Sequence, residues 1–243
     1  MECKLSHPFP NNDVKLFAYP YPPVDGRMYV MLTNRKCIVV DPANDADAVA
    51  MLKNRSIGEL KIILTHEHCD HMTGVATLRD NFDCELICTK ECADAIPNPR
   101  KNLSHFKDFL VMSISERKRE SFAADEFCVF TCKADTWFEN EFLFAFGDYK
   151  IRLVQTPGHS KGSLCMVVND SNDVPLCLFT GDSLMADYEV YTRLPGGSRK
   201  KYDEITLPFI RSFKKDVIVY PGHGSDSVIR DIQSQPSSQS YLA

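Results

Sequence analysis

The residues best suited to chemistry lie between Lys61 and His71, in the segment KIILTHEHCDH. His66 and His68 are two residues apart, and in an extended segment such side chains point to the same side. Their imidazole nitrogens can therefore bind one metal ion. Asp70 and His71 follow directly and can reach a second ion beside the first. Imidazole and carboxylate ligands without thiolate are typical of zinc, iron or manganese.

Short apolar runs predict the elements that must position these side chains. Ile62–Leu64, directly before the histidines, predicts a short buried strand. Upstream, Tyr29–Thr33 and Cys37–Val40 predict a hairpin. Asp45–Lys53 has the apolar spacing of a helix. The order of strand, helix and strand places the histidines at a strand end.

Three later strands are each predicted to end at a residue that can bind metal. The strands and the residues that follow them are Tyr149–Gln155 with His159, Leu176–Phe179 with Asp182, and Val217–Tyr220 with His223. Helices are predicted at Met72–Asn81, Lys90–Ile96 and Tyr202–Phe213. Side chains from four separate strand ends are thus available for one site.

Length and composition describe one ordinary globular domain. The chain has 243 residues, 44% of them hydrophobic and 25% charged, and we expect a single domain over residues 1–230. The formal net charge of -5 argues against a general surface for nucleic acid or anionic membranes. Neither a membrane-length apolar run nor a signal peptide is found, which predicts a cytoplasmic protein.

The 10 cysteines predict reduced thiols in a reducing compartment, because they form no CxxC pair. Cys37, Cys165 and Cys177 lie in apolar runs, where a free thiol behaves as a small hydrophobic group. A structural zinc site is the alternative for the remaining clusters, which are Cys84, Cys88 and Cys92, and Cys128 and Cys132.

Two polar segments are predicted to lie outside the main core. Residues 100–125 carry only a sparse apolar stripe and predict a helical insertion at one edge of the site. The charged run Glu116–Glu120 within it is either solvated surface or part of a lid over the substrate. Residues 231–243 have the composition of a disordered tail.

The segment THEHCDH resembles the HxHxDH motif of the metallo-β-lactamase superfamily, and TPGHS, TGD and PGHG are similar to its later motifs. The resemblance implies an α/β fold, a four-layer αβ/βα sandwich. It also implies two divalent metal ions, above all Zn²⁺, with Fe and Mn as alternatives. The implied ligands are His66, His68 and His159 for one ion, Asp70, His71 and His223 for the other, and Asp182 as a bridge. Asp41 would support the metal-binding loop without binding an ion itself, or else it would cap a turn or helix.

The contexts GHSKGS and PGHG look most like the glyoxalase II branch of that superfamily. This resemblance implies a hydrolase in which metal-bound hydroxide attacks an ester-like carbonyl, most simply a thioester, with Asp70 and Asp182 as catalytic residues. The chain departs from glyoxalase II in two respects. Only a short polar segment follows His223, where glyoxalase II has a helical domain, and residues 191–197 read YTRLPGG in place of a Gly-Arg-Thr-Asp run. The acyl donor can thus differ from a glutathione thioester.

Basic residues after the bridging aspartate predict docking of an anionic small molecule. They are Arg193, Arg199 and Lys200, and a solvated helix start is the alternative. Nucleic acid and membranes are not expected partners, and no feature sets the oligomeric state.

Two other functions stay open. One is a persulfide dioxygenase with a single iron bound by His66, His159 and Asp182. The other is a binding scaffold without catalysis. β-Lactamase activity is disfavoured, because those enzymes usually alter the ligand set at the position of Asp70.

Overall fold

A computed structural model describes residues 8–9, 13–21, 24–106, 130–229 and 231. Its first six strands are β1 (Lys15–Tyr21), β2 (Gly26–Leu32), β3 (Lys36–Val40), β4 (Glu59–Ile63), β5 (Cys84–Thr89) and β6 (Thr136–Phe138). The next six are β7 (Glu141–Phe146), β8 (Tyr149–Gln155), β9 (Leu164–Asn169), β10 (Pro175–Gly181), β11 (Ile218–Pro221) and β12 (Ser227–Val228). Within the described residues each group of six forms one mixed sheet.

Helices cover the outer faces of both sheets. They are α1 (Ala46–Lys53), α2 (Val75–Asn81), α3 (Lys90–Ala95), α4 (Arg199–Lys201) and α5 (Leu207–Arg211). A π-helical turn at Tyr202–Thr206 joins the last two, and single 3₁₀ turns occur at Cys69–His71 and Ser104–Phe106. One apolar cluster fills the space between the sheets, and two others lie under the helices on either side. The predicted α/β four-layer sandwich is confirmed.

The strands that lead into the site run parallel to their neighbours within each sheet. β3, β4, β5 and β6 run parallel in the first sheet, as do β10 and β11 in the second. Ile62 and Ile63 of β4 are fully buried, as expected for a strand covered on both faces. The carboxyl ends of these strands therefore lie at one edge of the sandwich.

Tyr29 joins the two sheets next to this edge. Its hydroxyl, on β2, donates a hydrogen bond of 2.8 Å to the carbonyl oxygen of Pro221, at the end of β11. Its ring also packs against those of Phe179 and Tyr220. The backbone N–H of Arg27 donates to the carbonyl of Gly222 at 2.8 Å. The loop before His223 is thus attached to the opposite sheet.

Several predicted boundaries need correction. The helix predicted at Met72–Asn81 begins only at Val75, because residues 72–74 form a turn in which the Gly74 N–H donates to the carbonyl of Pro42 at 2.8 Å. The helix predicted at Tyr202–Phe213 begins at Arg199, where the Ser198 hydroxyl accepts the Lys201 backbone N–H. It widens into the π-helical turn before Pro208, whose nitrogen carries no hydrogen for the regular ladder.

Parts of two predicted segments lie outside the described residues, namely 107–129 of the insertion and 232–243 of the tail. In the described part of the chain, no helix is both long and apolar enough to cross a membrane. The eight cysteines within it are free thiols, and none belongs to a group of potential metal ligands there. Cys69, between two expected ligands, is fully buried, and burial raises the pKa of its thiol.

Candidate metal centre

The structure brings together all seven residues that the sequence predicted as metal ligands. His66 and His68 lie in the loop after β4, and Asp70 and His71 in the 3₁₀ turn that follows. The other three come from the loops after β8, β10 and β11, and they are His159, Asp182 and His223. The potential ligand atoms form overlapping groups in which all atoms lie within 4.8 Å of one another.

His66, His68 and His159 form the first group. Nε2 of His159 lies 3.0 Å from Nδ1 of His68. Nε2 of His66 is buried and has no hydrogen-bond partner among the described residues. Burying a polar atom without a hydrogen-bond partner costs free energy. This nitrogen is therefore suited to bind a metal ion, which is not part of the chain.

Asp70, His71 and His223 form the second group. Nε2 of His71 lies 3.2 Å from Nε2 of His223, which in turn lies 3.4 Å from Oδ2 of Asp70. Two nitrogens bound to one tetrahedral zinc ion at the usual bond length would be about 3.3 Å apart. In each group, the two facing imidazole nitrogens are therefore close to the spacing that binding to one common ion requires.

Asp182 lies between the two groups. Its Oδ2 is 3.4 Å from Nε2 of His159, and its Oδ1 is 3.5 Å from Nε2 of His71. Oδ1 is buried and without a hydrogen-bond partner among the described residues. Gly222 lets the chain pass close to this oxygen, because a Cβ there would lie only 2.4 Å from it. The carboxylate is thus open toward both groups of imidazoles.

Asp41 and Thr65 set the orientation of two of the imidazoles. Asp41, which is 4% exposed, accepts hydrogen bonds from the Thr65 backbone N–H and hydroxyl, each at 2.7 Å. Its Oδ2 is also 2.9 Å from Nδ1 of His71. Since the Thr65 hydroxyl donates to Asp41, its oxygen is left to accept from Nδ1 of His66, 3.1 Å away. In its neutral form each imidazole then carries its hydrogen on Nδ1 and turns Nε2 toward the site.

Backbone carbonyls orient two further imidazoles, and no sequence pattern indicated them. Nδ1 of His159 lies 2.8 Å from the carbonyl oxygen of Tyr191, and Nδ1 of His223 lies 2.8 Å from that of Val24. A carbonyl can only accept, so each Nδ1 carries the hydrogen and each Nε2 is available as a ligand. Carbonyl contacts between distant segments depend on the fold and not on residue type.

Burial keeps the first group neutral. It lowers the pKa of His66 and His159 and lowers the pKa of His68 to about 3. Neighbouring imidazoles act in the same direction on His66 and His68. A neutral imidazole is the form that binds metal, so these three residues need lose no proton to do so.

Carboxylates keep the second group charged. Burial opposes charge here too, yet Asp70 and Asp182 raise the pKa of both His71 and His223. The same imidazoles, against the effect of burial, lower the pKa of Asp70 and Asp182. Only one hydrogen fits between the two Nε2 atoms, so we expect the imidazole pair to hold one extra proton.

Metal uptake at about pH 7.5 should therefore release about one proton per chain, because both Nε2 atoms must be free to bind the ion. Metal affinity should also fall as the pH is lowered further below the raised pKa of this pair. Calorimetric zinc titrations in buffers of different ionisation enthalpy measure the number released. Uptake of metal without proton release would show that the pair is already neutral.

The predicted anion-binding residues are less closely tied to the centre. Arg199 Nε donates to the carboxylate of Asp203 at 2.9 Å, and Lys200 lies 3.9 Å from Glu204, both contacts along the same helical segment. Arg193 is exposed in the loop that supplies the Tyr191 carbonyl. Docking of an anion by these residues remains a prediction.

Comparison with known proteins identifies the family. The model of the metallo-β-lactamase superfamily matches residues 21–223 of the chain. The chain belongs to this superfamily. The superfamily uses metal ions, which agrees with the buried ligand set.

Three similar proteins extend this result within the metallo-β-lactamase superfamily. The probable metallo-hydrolase YqgX of Bacillus subtilis is 21% identical over 217 residues, covering 89% of this chain and 93% of the relative. A hydroxyacylglutathione hydrolase of Rhizobium johnstonii is 24% identical over 147 residues, covering 60% of this chain and 42% of the relative. The crystal structure of BLEG-1 B3 metallo-β-lactamase gives a TM-score of 0.70 at 25% identity, covering 91% of this chain and 97% of that chain. The chain is thus similar to metal-dependent hydrolases along most of its length.

Proposed function

We propose that this protein is a hydrolase with two divalent metal ions, above all Zn²⁺, that cleaves an ester-like bond, most simply a thioester. The observation that carries the proposal is the convergence of seven ligand side chains from four loops. Two of their potential ligand atoms are buried without a partner among the described residues, and they are His66 Nε2 and Asp182 Oδ1. In an interior that binds no metal, buried polar atoms normally have hydrogen-bond partners.

Bound ions supply a water of lowered pKa and polarise the carbonyl group that is attacked. Asp70 and Asp182 would supply negative charge beside the ions. No side-chain nucleophile is needed. Ser160 and Ser163 follow His159, but they are buried and their hydroxyls lie 2.9 Å apart, so neither faces a substrate.

A cavity adjoins the loop that carries His66 and His68, on the side to which Glu67 points, and none of the seven ligands lines it. Its volume is about 410 Å³, and its lining includes Glu67, Lys161 and Gly196. Cavities of this size are typical of sites for small organic ligands. Tyr191 shortly precedes the lining residue Gly196 in the sequence. Its side chain is 49% exposed and offers an aromatic surface. We propose a small anionic substrate, with Arg193, Arg199 and Lys200 as candidates for its charged group and no nucleic acid or membrane as partner.

Thioester cleavage is supported by the GHSKGS and PGHG contexts and by the similarity to a hydroxyacylglutathione hydrolase. That similarity covers 42% of the relative, so the proposal extends to the thioester bond and not to glutathione as the acyl donor. The free cysteines support a cytoplasmic location, which we also propose.

The test combines metal analysis with a substrate panel. The full chain, purified without added metal, should contain about two zinc ions and turn over acyl thioesters faster than lactones or the β-lactam nitrocefin. A single iron with oxygen-dependent persulfide oxidation would overturn the proposal in favour of a dioxygenase. Faster nitrocefin cleavage would replace thioesters by lactams, and a metal-loaded protein without any turnover would indicate a binding scaffold.

A further inference from the structure

Glu67 is a buried carboxylate between two metal-binding histidines. It is 4% exposed, although glutamate is rarely buried without a partner. Its carboxylate lies against the loop after β8 and belongs to none of the groups of potential ligands among the described residues, so it faces away from the metal centre. A charge in such a place must be matched by hydrogen-bond donors.

The main donor comes from a different metal-binding loop. The hydroxyl of Ser160 donates to Oε2 of Glu67 at 2.7 Å, and Ser160 directly follows His159. Ser160 is itself held by Ser163, whose hydroxyl oxygen accepts the Ser160 backbone N–H at 3.1 Å. The Gly162 backbone N–H also faces the carboxylate. The loop after β4 is thereby bound to the loop after β8.

Gly162 provides the space that the carboxylate occupies. A Cβ at this position would lie 2.5 Å from Oε2 of Glu67 and 2.6 Å from the backbone nitrogen of Cys92, closer than such atoms can approach. The Gly162 carbonyl oxygen accepts a hydrogen bond of 2.8 Å from the Thr89 hydroxyl, at the start of α3. The loop therefore has a fixed position against α3 as well as against Glu67.

We propose that Glu67 is a positioning residue, which holds His68 and His159 at the spacing needed to share one metal ion through its hydrogen bond to Ser160. The contact acts on the first group of ligands, because one end is next to His68 and the other next to His159. Nδ1 of His68 and Nε2 of His159 lie 3.0 Å apart across the site. This inference rests on the metal centre of the proposed function and not on the identity of the substrate.

The test measures zinc affinity by competition with a chromophoric chelator, on the full chain after metal removal. Glu67→Ala should weaken the site formed by His66, His68 and His159 about 10- to 100-fold, and leave the other site nearly unchanged. Ser160→Ala should have a similar effect. The double variant should bind zinc only slightly more weakly than either single variant, because both substitutions remove the same hydrogen bond. Glu67→Gln should restore part of the affinity, since its amide oxygen can still accept from Ser160.

Two control variants separate positioning from general stability. Glu91→Gln changes a carboxylate that lines the same cavity but accepts its hydrogen bond from Gln155, at 2.8 Å. Tyr149→Phe removes the hydrogen bond to Asp13 at the far end of β8, about 20 Å from the site by strand length. Both should bind zinc as the parent does, even where Tyr149→Phe lowers the melting temperature.

Parent-like zinc affinity of Glu67→Ala and Ser160→Ala would overturn the inference. An equal loss at both metal sites, matched by Tyr149→Phe, would also overturn it, because it would indicate general destabilisation. If Glu67→Ala does not fold, Ser160→Ala and Glu67→Gln carry the test. A parent that binds zinc but hydrolyses no panel substrate would contradict the proposed thioesterase and leave this inference standing.

Discussion

Replacing Asp182 by asparagine should lower kcat/KM by at least about a thousandfold, equivalent to several kcal/mol of lost stabilisation. Asparagine keeps the size of the side chain but removes its charge and turns one ligand oxygen into an amide nitrogen. Asp182 has one oxygen 3.4 Å from a nitrogen of the first group and the other 3.5 Å from a nitrogen of the second. The variant should therefore also contain fewer metal ions per chain than the parent.

Asp173→Asn is the matched control for this experiment. Asp173 lies in the turn between β9 and β10, where its exposed carboxylate accepts from Lys150 at 2.7 Å. An exposed ion pair of this kind contributes little, so the control should retain the parental activity and metal content. Elemental analysis and steady-state kinetics are measured on both variants. Full activity of Asp182→Asn would exclude a bridging role for this carboxylate.

The sequence predicted the ligand residues of the candidate site more completely than it predicted the strands around them. Parallel strands place their carboxyl ends at one edge of a sheet, so ligands after successive strands converge without further information. His159, Asp182 and His223 each follow a clear apolar strand, and the structure places all three at this edge. Residue type and strand position were sufficient for these side chains.

Elements with weaker patterns were missed. β1 contains Pro20, which argues against a central strand, and it lies at the edge of its sheet, where proline is tolerated. β6 is only three residues long and forms the opposite edge of the same sheet. β7, in which half-buried and exposed residues mostly alternate, forms an edge of the second sheet. Their place in the sheets depends on pairing with distant strands, and a local pattern does not contain that information.

Residues that support the ligands differ in how far the sequence reveals them. The sequence does not indicate a role for Glu67, because a glutamate in a loop is usually exposed, and both its burial and its contact with Ser160 depend on the fold. Asp41 ends β3 in the left-handed region, with φ of 50°, a conformation that aspartate adopts more readily than most residues. Its three hydrogen bonds join segments that are distant in sequence, so they depend on the fold.

Asp41→Asn should weaken binding of the ion held by Asp70, His71 and His223 about 10- to 100-fold. The native carboxylate accepts from Nδ1 of His71 at 2.9 Å and from the Thr65 hydroxyl at 2.7 Å. An asparagine that still accepts the Thr65 backbone N–H turns its NH₂ group toward Nδ1. The hydrogen of His71 then moves to Nε2, the nitrogen that must bind metal.

The Thr65 hydroxyl carries the effect of Asp41→Asn to the first group as well. Facing an NH₂ group, it loses its acceptor, and it can then donate to Nδ1 of His66, which moves the hydrogen of that imidazole to Nε2 too. Zinc competition should accordingly show both sites weakened, in contrast to the single site affected by Glu67→Ala. Asp45→Asn is the control, because Asp45 caps α1 through the Ala48 N–H and asparagine caps equally well. If Asp41→Asn lowered only the melting temperature, with both zinc affinities unchanged, Asp41 would stabilise the loop without selecting the histidine tautomers.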